Sequence, residues 1–363
     1  MHAFRHNDPD VEPFTIYHTN SRSSQNPHTS ADMATGVSRD LTTAFSEKGL
    51  LRIGTGCCGS VWADADSSNN DTPSCIKRED GNPHRSISNE YNIHQLVIQS
   101  VQYYPQYARN FRIPLCRGFL DQDDQKSWSL VLPRLPPGSK PCNALLSEKV
   151  QPVSEQVRKL LVNKFARGTD LDAIANDGKN EHCLIRPYLG RRKKVWGDTN
   201  RNTFFSLRNF PLHLERMIEL ELDVESYAKV MAEGLAFLHW VVRIDANDVE
   251  FVLARSRSTS HSQSPFVPDI LGPHSMWIID FDCCDPISLD EKGVASAAEC
   301  FWWNDPYYPR PGSDNDPKLW SVFREHFLQV SSEILKDKEQ SVQQLPNLLM
   351  NVIEEGSRPE KGP

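Results

Sequence analysis

Residues 235–254 read LAFLHWVVRIDANDVEFVLA, and residues 276–284 read MWIIDFDCC. The first stretch closes an amphipathic helix with Leu235, Phe237 and Leu238, crosses a polar turn and enters a short apolar strand at Phe251, Val252 and Leu253. The turn carries Asp245, Asp248 and Glu250. The second stretch is a strand, Trp277 to Ile279, that stops at Asp280 and Asp282. Carboxylates stay in water unless paired or on a metal, so an apolar run ending in acids marks a strand ending at a cleft. Two such ends side by side make a carboxylate cluster, suited to binding a divalent cation or to proton transfer. The same residues also suit two solvated turns, where Asp and Asn are common.

The rest of the chain is a soluble α+β pattern. It has 363 residues, a formal net charge of −8 and 38% hydrophobic residues, which suits one large or two medium domains without a global basic field. No apolar run reaches the roughly 18 residues of a membrane span, and the N-terminus, MHAFRHNDPD, has no secretory pattern. The nine cysteines include adjacent pairs, with no CxxC and no histidine pair at zinc spacing. This points to a reduced, cytoplasmic protein with no structural zinc site.

Residues 1–38 read as a disordered tail. In LRIGTGCCGSVWA, residues 51–63, Gly54, Gly56 and Gly59 have G-x-G-x-x-G spacing between apolar flanks. A strand follows, so this is a hairpin whose glycines let backbone N–H groups approach phosphate, or serve only the turn. Cys75-Ile76-Lys77 is a short strand with one lysine, and a helix over 88–97 carries Glu90 in its first turn. Taken singly, these are an edge-strand lysine and a dipole-favoured acid. Trp128 to Pro133 reads as the last strand of a small β-rich lobe covering 39–135, before a Pro-rich hinge. A helical lobe with the acidic cleft then spans 136–340, and 341–363 reads as a polar tail. Arg191, Arg192, Lys193 and Lys194 form a basic run between Tyr188 and Trp196, with Arg186, Arg201 and Arg208 nearby. It suits either a nucleic-acid backbone or a solvated loop.

Two resemblances follow. A glycine hairpin, a strand lysine and a helix glutamate, in that order, resemble a protein-kinase-like bilobal fold, where the lysine holds nucleotide phosphates and the glutamate holds the lysine. Asp245 then matches the catalytic aspartate, Glu250 stands in place of the metal-binding asparagine, and Asp280 resembles the metal-binding aspartate. Arg243 and Ile244 replace the usual histidine and arginine, and the loop is one residue shorter. This resemblance implies ATP and Mg²⁺ acting on a small molecule, or a non-catalytic binding protein.

A closer resemblance rests on GTGCCGSVW, IKRED, NEY, CLIRPYLGRR, FSLRNFPLHL, IDANDVEFVLA, MWIIDFDCC and FWWNDPYYPRPG. These are similar to a fungal family, often filed under a zinc-finger label, that includes arginine-containing cyclodipeptide synthases. The resemblance implies arginyl-tRNA and a second aminoacyl-tRNA as substrates, an arginine-containing diketopiperazine as product, no required cofactor, and no DNA or membrane partner. Asp245, Asp248, Glu250, Asp280 and Asp282 would then hold the arginine guanidinium, orient the α-ammonium and supply the base. The Arg191–Lys194 run would bind the tRNA backbone. The glycine hairpin, Lys77 and Glu90 would receive the terminal phosphates or adenosine.

Overall fold

The computed structural model describes residues 45, 49–64, 73–167, 170–190, 205–257, 266, 269–312 and 316–356. The 1–38 tail and the Arg191–Lys194 run lie outside the described residues.

The fold is α+β, with two five-stranded sheets. The first is antiparallel and is built from β1 (Leu50–Thr55), β2 (Ser60–Asp64), β3 (Ser74–Arg78), β5 (Cys116–Leu120) and β6 (Ala144–Glu148), ordered β1-β2-β3-β6-β5. Successive side chains point to opposite faces of the sheet, and the central strands β3 and β6 are buried on both. Leu50, Ile76, Leu120 and Leu146 face a core shared with Trp128 and Val131. Leu145 points to the other face and packs with Ile87 and Cys58. Ile87 opens helix α1 (Ile87–Tyr103), which is capped by Ser86 accepting from the Asn89 N–H at 3.2 Å.

The expected strand over 128–133 is instead helix α2 (Gln125–Val131). Its N-cap is Asp124, whose side chain accepts from the Ser127 N–H at 3.1 Å, and Trp128 and Val131 share one buried face at i,i+3. A short apolar run is ambiguous between strand and helix, and here the cap decides it. The strand that leads out of the first sheet is β6, so the β-rich part extends to Glu148 rather than to 135.

The second sheet is ordered β4-β10-β9-β7-β8, from β4 (Phe111–Arg112), β7 (Ile185–Tyr188), β8 (Phe210–His213), β9 (Glu250–Ala254) and β10 (Ser275–Ile279). The two acidic strands identified in the sequence are antiparallel neighbours, with Glu250 opposite Ile279. Helices α3 (Glu155–Phe165), α4 (Leu171–Asn176), α5 (Leu214–Glu219), α6 (Val224–Ala236), α7 (Glu291–Trp303) and α8 (Pro317–Leu335) belong to this part, and most of their buried apolar residues join one large core with β9 and β10. Helix α6 sits tightly on the sheet at Gly234, where a Cβ would lie 2.8 Å from Ile278 Cδ1 and 3.1 Å from Phe251 Cε1. The helix then widens into a π-helical stretch, Phe237–Val242, that delivers the chain to the acidic turn.

The described residues of the C-terminal region, up to Gly356, do not form the polar tail expected over 341–363. After the short α9 (Gln340–Gln343), helix α10 (Leu345–Glu355) buries Leu345, Leu349, Met350 and Ile353 in the large core. Apolar residues at i, i+4, i+5 and i+8 make one helical stripe that needs a partner face. Among the described residues, no helix is long and apolar enough to cross a membrane.

Leu349 is fully buried. Leu349→Ala is expected to destabilise the protein by about 2–5 kcal/mol, the range for a core leucine leaving a cavity. Urea unfolding followed by circular dichroism measures it. A change under about 0.5 kcal/mol, the range of a surface site, would return the C-terminus to a dispensable tail.

Candidate active-site cleft

A cavity of about 440 Å³ lies between the two sheets, within the range of small-molecule sites. The glycine hairpin, β3, α1, the chain after β6, β7, the acidic turn and the end of β10 contribute to its lining. The strand lysine, helix glutamate and β10 aspartate meet at one point. Lys77 Nζ lies 2.8 Å from Glu90 Oε2 and 2.7 Å from Asp280 Oδ1. The Glu90 contact is an ion pair rather than an aligned hydrogen bond. Burial works against the Lys77 charge, but the two carboxylates more than offset it and hold the ammonium protonated well above the usual lysine range. Burial raises the Glu90 carboxyl to about 7 although Lys77 opposes the rise. Burial also works against the Asp280 charge, but Lys77 prevails and keeps that carboxyl below its ordinary value.

Arg85 forms a second cationic centre. Its guanidinium donates to Asp248 Oδ2 at 2.7 Å and to Asp282 Oδ1 at 3.0 Å, and contacts Cys283 Sγ. Burial and the neighbouring Asp280 charge raise the Asp282 carboxyl. Arg186, on β7, makes the third centre with Glu250, its Nε lying 3.2 Å from Oε2. Burial raises the Glu250 carboxyl despite that partner. At the cleft edge, Tyr188 donates to Asp305 Oδ2 at 2.7 Å.

The expected carboxylates therefore divide. Asp248, Glu250, Asp280 and Asp282 line the cleft together, and Asp245 does not. Asp245 is buried, and its Oδ1 accepts the backbone N–H groups of Asn247 and Asp285, both at 3.0 Å. It staples the turn from behind rather than facing a substrate. The turn needs that support, because Arg243, Ala246 and Asp248 all have positive φ, as does Asp280. Such backbone costs on the order of 1–3 kcal/mol per residue and persists only where its surroundings over-determine it. Asn304, in the loop after α7, adds a second brace by accepting the Asp248 N–H at 2.6 Å and donating to Ala246 O at 2.8 Å.

The glycine hairpin also differs from a phosphate cradle. Gly56 donates its N–H to Gly59 O at 2.8 Å, and Ser60 donates its own to Asp80 Oδ1 at 2.7 Å, so neither faces a ligand. Gly59 is required by packing, since a Cβ there would lie 2.0 Å from Arg78 O. Gly54 and Gly56 carry no such constraint.

Arg85, Arg186 as a carboxylate partner, Asn89, Asn304 and Asp80 had no pattern to mark them. Asn89 Nδ2 donates to the carbonyls of Asp282 and Cys284 at 3.0 and 3.1 Å, joining α1 to the end of β10. The one available signal was position, because Arg85 and Asn89 lie in the stretch between the strand lysine and the helix glutamate.

A family model described as "Zinc finger protein" (DUF3669) matches residues 276–339. The match begins in β10 and takes in Asp280, Asp282 and the Asn304 loop. No curated protein matches the chain. The residues do not fit a structural zinc. Among the described residues, the one group of three potential ligand atoms is Asp248, Asp282 and Cys283, and the Arg85 guanidinium already contacts all three. Nor do they present an open magnesium site, because Asp280 is held by Lys77 and Glu250 by Arg186.

The raised Glu90 carboxyl has a consequence for stability. The folded chain keeps this proton at pH values where the unfolded chain, near 4.5, has released it. Its contribution is therefore full below that value and is lost as pH rises through about 7. The melting temperature of wild type should fall more steeply between pH 4.5 and 7 than that of Glu90→Gln, as read by scanning fluorimetry. Parallel profiles would show that Glu90 titrates normally.

Proposed function

We propose that this cleft belongs to a tRNA-dependent cyclodipeptide synthase that joins arginine, delivered as arginyl-tRNA, to a second amino acid on a kinase-like bilobal scaffold. The observation that carries the reading is the charge of the cleft. Its lining holds seven carboxyl groups (Glu90, Glu148, Asp248, Glu250, Asp280, Asp282 and Asp305); Arg257 from outside the lining pairs with Glu148, which leaves six against four lining cations, Lys77, Arg85, Lys149 and Arg186. Such a surface favours a cationic ligand and opposes a polyphosphate. Three of its ion pairs, from Arg85 and Arg186, already hold guanidinium groups on carboxylates, the geometry an arginine side chain requires.

The chemistry is two aminolyses. An α-ammonium loses a proton, and the amine attacks the ester carbonyl of the other aminoacyl group. The bond to the 3′-oxygen of the terminal adenosine breaks, and that oxygen takes a proton. The new dipeptidyl ester is attacked by its own free amine, which closes the six-membered ring and releases the second tRNA. Glu90, poised near 7, is the carboxyl suited to accept the proton. The Arg191–Lys194 run, outside the described residues, is assigned to the tRNA backbone.

A phosphotransferase is the second reading, favoured by the placement of Lys77 between Glu90 and Asp280. The paired metal-site carboxylates and the engaged hairpin N–H groups weigh against it.

Expression in a host with ordinary tRNA pools, with mass spectrometry of the medium, separates the two. An arginine-containing cyclic dipeptide is expected, and its loss in Asp248→Asn ties it to the cleft. No cyclic dipeptide, with ATP turnover by the purified protein, would sink the synthase reading. Replacing Arg191, Arg192, Lys193 and Lys194 together by alanine should leave stability within about 0.5 kcal/mol per site. The variant should demand more aminoacyl-tRNA for the same rate, with salt dependence reduced by about one counterion per lost phosphate contact. Superimposable rate curves at two salt concentrations would remove the run from the substrate path.

A further inference from the structure

The Arg85 centre differs from the other two in how it is built. Arg186 projects from a strand of the second sheet and meets one carboxylate, Glu250, in the same sheet. Lys77 is an ammonium on a central strand of the first sheet. Arg85 instead comes from the irregular stretch between β3 and α1, where Gly81, Asn82, Pro83 and His84 are all exposed. Its side chain reaches across the cleft to two carboxylates of the acidic turn and the β10 end. One cation therefore answers two acids, one of them Asp248, whose side chain is 47% exposed.

The junction between the sheets does not depend on Arg85. Asn89 ties α1 to the Asp282 and Cys284 carbonyls, and Lys77 ties β3 to Asp280. Removing the Arg85 guanidinium would leave these links in place and vacate a seat already shaped for a planar, bidentate cation.

We propose that Asp248 and Asp282 form a guanidinium seat, which Arg85 fills in the free protein and the arginine side chain of the substrate takes over on binding. The identity of the incoming group rests on the synthase reading, while the seat itself rests on the Arg85 geometry. Arg85 then acts as an internal competitor, and a competitor that fills the site lowers apparent affinity by the fraction of time it is seated. Selectivity over an uncharged urea follows from charge, since a urea makes no charge-assisted bond to either carboxylate.

The test is calorimetric titration of the full chain with L-arginine methyl ester, a small ester that stands in for the aminoacyl end. Arg85→Ala should bind it at least about tenfold more tightly than wild type, because the competitor is gone. L-citrulline methyl ester, with its neutral urea, should show no gain. Adding Asp248→Asn to Arg85→Ala should erase the gain for the arginine ester. Equal or weaker binding by a folded Arg85→Ala protein, or the same gain for the citrulline ester, would overturn the proposal. If Arg85→Ala does not fold, Arg85→Gln keeps a polar side chain without the charge or the reach of arginine and is read the same way. The readout is independent of product formation. A gain without cyclic dipeptide in the host upholds the seat and removes its assignment to a synthase substrate. Cyclic dipeptide without a gain removes the seat alone.

Discussion

One buried ammonium holds the site together. Lys77 Nζ sits between Glu90 of α1 and Asp280 at the end of β10, so one charge touches both sheets and the helix between them. Taking a charge out of water costs several kcal/mol unless partners replace the hydration shell. Two carboxylates supply that replacement, and they are fixed in turn, Glu90 within α1 and Asp280 beside the Asn89 contacts to the Asp282 and Cys284 carbonyls. Removing Lys77 would leave two carboxylates without their shared cation, a loss of about 3–5 kcal/mol by comparison with other broken buried pairs. The cleft geometry therefore follows from an electrostatic constraint more than from apolar burial, which lies behind it in the large core.

The acidic turn shows the same economy. Arg243, Ala246 and Asp248 adopt left-handed backbone without being glycine, and Asp280 joins them across the cleft. Such conformations are sparsely populated. Asp245 from below and Asn304 from the side supply the hydrogen bonds that hold the turn open. The bracing loop is itself anchored, since Arg310 donates to the carbonyls of Phe301 and Asn304 and its guanidinium lies 4.4 Å from the Phe301 ring centroid. The match to a zinc-finger-labelled model covers the bracing loop but not the turn it braces, and the described residues of that loop provide hydrogen bonds and an arginine rather than a cysteine–histidine set.

Much of the architecture was legible along the chain because it rests on local periodicity. The strands around Phe251 and Trp277, the helix bearing Glu90, the helix over 224–236 and the acidic strand ends each follow from short patterns with clear punctuation. The errors arose where a pattern was equally consistent with two outcomes. Trp128–Val131 is apolar enough for a strand, yet Asp124 caps it as a helix. Residues 345–355 follow a polar stretch, and their apolar stripe has value only against a core contributed by residues far away in sequence.

The sequence by itself determined the α+β class, the paired acidic strands, and the order of glycine hairpin, lysine and glutamate, because each is written in residues close together. Only the tertiary structure decided which acids share a cleft and which support it. Asp245 and Asp248 lie three residues apart in one turn and look alike in sequence, yet one is buried against backbone N–H groups and the other meets Arg85. The contacts from Arg85 to Asp248 and Asp282, and from Arg186 to Glu250, span 163, 197 and 64 residues of chain. Charge pairing at such separations leaves no periodic trace, because it depends on where two sheets meet and not on what either strand contains.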